Sequence, residues 1–106
     1  MPAPLARQFH GAPGPIEGNV VRPKVQGRGR SMDELAFSTS RVGDAMGHAG
    51  TKSMYDGRLF GSVYEVSPRN GRPSPLGDPK HTVSSEGMDV VKHVGFVGHE
   101  GKWANR

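Results

Sequence analysis

The chain has 106 residues, a net charge of +4 with histidine neutral, a pI near 9.9 and no cysteine. That length is one domain with room for one core, and the missing thiols exclude disulfides, thiolate metal sites and cysteine nucleophiles. No segment approaches the ~20 apolar residues of a membrane span, and Met1 to Ala12 lacks an apolar run of signal-peptide length. The expectation is a soluble, intracellular protein without membrane contact. A basic balance attracts anionic ligands and polyanions, or simply solvates the surface.

In chain order, Leu5 to Gly11 is a short mixed run that Pro13, Gly14 and Pro15 turn. Ile16 to Lys24 holds Val20-Val21 and stops at Pro23, which reads as a short or edge strand. Gln26 to Ser31 is a Gly-Arg-Gly-Arg loop. A strand is predicted through Leu35–Thr39, with Ser40 as N-cap of a helix over 41–49 and Gly50 as its stop. Val42, Ala45, Met46 and Ala49 supply the i, i+3, i+4, i+7 spacing. Gly43 and Gly47 weaken that helix by about 1 kcal/mol each, so packing must hold it.

Thr51 to Arg58 reads as a polar loop and Leu59 to Val66 as a strong strand. Ser67 to Lys80 is a Pro/Gly loop with four prolines. Loops of that length are usually functional or disordered. Met88 to Gly98 is the second strong strand, and His99 to Arg106 is a tail polar except for Trp103. The sum is a single α+β domain over 1–106, with its core at about 5–98. It has four or five mostly antiparallel strands, one short helix and long Pro/Gly loops.

The order of several short pieces is similar to the rifampin ADP-ribosyltransferase family. Phe9-His10-Gly11, then Ile16-x-Gly18 and Val21-x-Pro23, looks like its aromatic-His-Gly opening. Ala36-Phe37-Ser38-Thr39-Ser40 with Asp44-Ala45 resembles its strand running into a helix. Gly61 to Pro68 resembles its Gly-x-hydrophobic-Tyr-x-Val-x-Pro strand. Asp78-Pro79 resembles its Asp-Pro loop, and Glu86 to Gly95 its closing strand. The pieces span about residues 8 to 97.

The resemblance implies an ADP-ribosyltransferase-like fold and NAD as cofactor, with transfer to a rifamycin-type antibiotic or a macromolecular acceptor. That chemistry breaks the nicotinamide–ribose bond through an oxocarbenium-like transition state, which needs a fixed ribose and nearby negative charge. The matching residues are His10 and Gly11 on the first strand, and Phe37, Thr39 and Tyr64 around the cofactor. Ser38 with Asp78 or Glu86 would supply catalytic groups. Each has an ordinary alternative: a surface histidine, a helix-capping hydroxyl, a solvated loop carboxylate. Arg22, Lys24, Arg28 and Arg30 fit a pyrophosphate, a solubilising surface or nucleic-acid phosphates around 22–30. His48, His81, His93 and His99 show no metal-ligand spacing.

The family's Tyr before Phe37 is Ala36 here. Phe37, Tyr55 or Tyr64 are the rings left to stack on nicotinamide. The departure opens a second expectation, a catalytically silent copy of the fold acting as a structural or interaction module in a larger protein assembly, such as a phage virion component.

Overall fold

Alternating side chains on a central strand pair set the layers of this domain. The computed structural model describes residues 7–16, 18–25, 34–73 and 81–104. Strand β1 (Gln8–Ala12) pairs antiparallel with β5 (Gly61–Pro68), setting His10 opposite Tyr64 and Gly11 opposite Val63. Successive side chains of a strand point to opposite faces. Phe9 and Val63 therefore face one layer, and Ala12 and Tyr64 the other.

The first layer is covered by helix α1 (Val42–Tyr55). Ala45 and Ala49 pack with Phe9, Val63 and Val97, and Val42 and Met46 border them. The predicted apolar stripe thus does the packing. The helix runs further than Ala49, however, and Gly50 lies buried inside it. A Cβ on Gly50 would stand 2.5 Å from the Gly98 carbonyl oxygen. The glycine serves close approach to the C-terminal segment and does not stop the helix. Thr51 to Tyr55 is accordingly helical. The N-cap is Arg41, one residue past Ser40, and its side chain makes no capping bond.

Around this pair the strands run β2 (Val20–Val21), β8 (Met88–Val97), β5, β1, β4 (Glu34–Thr39), β7 (His81–Ser84) and β6 (Arg72–Pro73), with β3 (Lys24–Val25) beside β4. All pairings are antiparallel among the described residues. Strand β2 pairs with the start of β8 and β3 with the start of β4. Residues 20 to 25 thereby tie the two strand starts together across the second face. Under them lies the second core, Ala12, Val21, Ala36, Tyr64, Val66 and Met88, with Ile16 and Val90 at its border.

The domain is therefore α+β, with one helix among the described residues on a mostly antiparallel sheet. Leu59 and Phe60 precede β5 and are exposed, where a strand was expected. Ser67 and Pro68 extend β5 into the expected loop, and Arg72–Pro73 and His81–Ser84 add short strands beyond it. The tail turns back on β8: Val97 bridges Trp103, and the Ala104 N–H donates to the Phe96 carbonyl at 2.9 Å.

Candidate functional site

Strands β1 and β4 share one ladder rung, Phe9 with Thr39. Past it, the His10 imidazole links them: its Nδ1 lies 2.7 Å from the Phe37 carbonyl oxygen. A carbonyl only accepts, so Nδ1 carries the proton in this contact. Ser38 is buried on β4 and donates to Gln8 Oε1 at 2.7 Å. Alternation from Ala12 and Ala36 puts Gln8, His10 and Ser38 on the face away from α1.

Next to them is an open groove of about 460 Å3. Gln8, Val66 and Thr82 form part of its lining, with Arg7, Arg72 and His81 as polar walls. Thr82 stands opposite Ser38 in the β4–β7 register. Neither His10 nor Ser38 lines the groove; Gln8 connects it to Ser38. Arg7 donates to Glu65 at 2.6 Å. That hydrogen bond, with the charges of Arg7 and Lys92, outweighs desolvation and holds the Glu65 carboxyl below its usual range.

The other sequence-derived positions have local duties. Gly11 faces α1, where a Cβ would overlap the Ala45 carbonyl oxygen; its close approach is to the helix and not to a ligand on the other face. Thr39 Oγ1 accepts from the Arg41 N–H at 3.1 Å and donates to Asp44 Oδ2 at 3.4 Å, which fixes the start of the helix. The Tyr64 hydroxyl accepts from the Ile16 N–H at 3.0 Å, and its ring lies in the second core. Phe37 is half-buried opposite Val83. Glu86 lies exposed in the turn between β7 and β8 and accepts from Asn70. Its turn follows Ser84, which pairs with Ala36, and Glu86 itself does not line the groove.

Asp78 lies outside the described residues, as do Arg28 and Arg30 and the side chain of Lys24. Arg22 is exposed beside β2. Ala36 is 2 % exposed, so the small side chain at 36 is part of the packing of the second core.

Tertiary structure also creates neighbours that spacing hides. His48 on α1 and His81 on β7 have ring centres 6.5 Å apart. Burial, then Lys52 and His81, pushes the His48 pKa down against the pull of Asp44. Among the described residues no group of three or more His, Asp or Glu side chains converges as a metal site. None of their helices is long and apolar enough to cross a membrane.

Among the described residues, seven large apolar side chains are exposed: Met54, Tyr55, Leu59, Phe60, Val91, Phe96 and Trp103. Four of them lie within residues 54 to 60, the end of α1 and its link to β5. Sequence reasoning missed this cluster, because Leu59 and Phe60 look like strand residues. No protein-family model matches the chain, and no curated protein matches it.

Proposed function

We propose that this domain is a catalytically silent, ADP-ribosyltransferase-like module that works by interaction within a larger assembly. The observation that carries it is the exposed cluster Met54, Tyr55, Leu59 and Phe60, with exposures of 50 to 77 %. Large apolar side chains left exposed together in one short segment point to a site of association. The structural duties of Gly11, Thr39, Tyr64 and Ala36 support the same reading, since Tyr64, which shares the His10 face, is buried in the second core with its hydroxyl bonded to Ile16. The test is incubation with labelled NAD, with and without rifampicin, alongside calorimetry. The expected result is no nicotinamide release and no NAD binding. Turnover abolished by His10→Ala overturns the proposal.

A second reading is NAD-dependent ADP-ribosyl transfer to a rifamycin-type antibiotic or a macromolecule. One observation favours it: His10 and Ser38 share a sheet face beside a groove edged by Arg7, Arg72 and His81. Those cationic and imidazole donors suit a pyrophosphate. Nicotinamide release in the same assay is its expected signature.

A further inference from the structure

Asn70 and Gly71 form the only Asn-Gly step in the chain; the other asparagines, Asn19 and Asn105, precede Val20 and Arg106. The step lies between β5 and β6, and both of its residues are exposed. Asn70 has a φ of 48°, in the left-handed region that an L residue adopts only at a cost.

The residue before this step is tied to the link between β7 and β8. The Arg69 N–H donates to the Gly87 carbonyl at 3.0 Å, and Ser84 Oγ donates to the Arg69 carbonyl. The Arg69 guanidinium holds Asp89 at 2.6 Å. Asn70 adds one tether of its own: its Nδ2 donates to the Glu86 carboxylate. Gly71 has no side chain to shield its amide nitrogen, and no room for one. A Cβ there would stand 2.8 Å from Pro68 Cβ and from Thr82 Cγ2. An exposed turn leading into a two-residue strand opens locally at little cost.

We propose that Asn70 is a site of spontaneous deamidation, and that Glu86 sets its rate by holding the side-chain amide. When the Asn70–Glu86 bond opens and the backbone rotates, the Gly71 nitrogen attacks Asn70 Cγ. A bond forms between those two atoms and the Cγ–Nδ2 bond breaks. The amide proton of Gly71 leaves with Nδ2 as ammonia. The resulting succinimide takes up one water at either carbonyl, which gives aspartate or isoaspartate. Either product replaces the Asn70–Glu86 hydrogen bond with a contact of two carboxylates. Isoaspartate also adds a backbone methylene ahead of Gly71, where Pro68 and Thr82 already close in. Gly71 and Arg72 line the groove, so the change reaches its wall. This chemistry is independent of the apolar cluster at 54–60 and of NAD.

Peptide mapping by mass spectrometry, with isoaspartyl methyltransferase labelling, tests it on the full chain incubated in mildly alkaline buffer. The same chain unfolded in guanidinium chloride gives the unrestrained rate. Asn70 is expected to gain the mass of an amide-to-acid exchange before Asn19 and Asn105, with isoaspartate among the products. Glu86→Ala should speed the conversion about fivefold, the worth of one lost hydrogen bond. Glu86→Gln keeps an acceptor for Nδ2 and should stay near the parent rate. Asn70 left intact over a time in which the unfolded chain converts fully overturns the proposal. Aspartate without isoaspartate also overturns it, because that product comes from direct hydrolysis and not from attack by Gly71. A Glu86→Ala rate equal to the parent's overturns the role given to Glu86.

Discussion

Gly11 on β1 and Ala45 on α1 meet backbone to backbone, so closely that any side chain at 11 would overlap the Ala45 carbonyl oxygen. Gly61 on the neighbouring strand meets Ala49 in the same way. The helix thus rests on the sheet through small residues, and Phe9, Val63 and Val97 fill the space around that contact.

Gly11→Ala should therefore destabilise the domain by about 1–3 kcal/mol through overpacking. Urea unfolding followed by far-UV circular dichroism measures it. A variant as stable as the parent would show that the helix can lift without cost.

The helix glycines separate by environment. Gly43 and Gly47 have open space where a Cβ would go. Gly47→Ala should stabilise by about 1 kcal/mol, read as a higher denaturant midpoint. Gly50→Ala should do the opposite, because its Cβ would press on the Gly98 carbonyl.

Tyr64→Phe keeps the ring against His93 and removes the acceptor of the Ile16 N–H. A loss of about 1 kcal/mol is expected. Faster amide exchange at Ile16, measured by NMR, locates the effect in the turn after β1.

Ala36→Tyr puts a tyrosine where the resemblance to the rifampin ADP-ribosyltransferases leads one to expect it. Ala36 is packed with Ala12, Val21 and Tyr64, so a phenol there has no room. The expected outcome is loss of a cooperative thermal melt and no gain of nicotinamide release. A well-folded variant that binds NAD would refute both the packing account and the silent-module proposal.

The pH dependence follows from His48. Partial desolvation, Lys52 and His81 lower its folded pKa below the ordinary imidazole value. Between the folded and unfolded values the unfolded chain binds more protons, so stability rises with pH in that window. The contribution is complete above about 6.5 and is lost as pH falls through the folded value. His48→Gln should flatten the slope of denaturant midpoint against pH below neutrality. An unchanged slope would assign the effect to other groups.

Much of the local structure was legible in the residues. The Val42, Ala45, Met46, Ala49 spacing marks the helix, and the apolar runs at 61–66 and 88–97 mark the two longest strands. Local rules failed where partners came from afar. Gly50 looks like a stop signal, yet the C-terminal turn packs against it and the helix continues. Tyr64 and Thr39 look like ligand-facing groups, yet Ile16 and the start of α1 use their oxygens.

Composition and periodicity by themselves determined a single small basic α+β domain without thiol chemistry, because those properties depend on residue counts and nearest neighbours along the chain. The tertiary structure decided which hydroxyls and rings were left exposed. It put His10 and Ser38 on one face, buried Ala36, and exposed Leu59 and Phe60. It brought the Asn70 amide to Glu86. Pairing register and helix docking fix these outcomes, and both depend on contacts between residues remote in sequence.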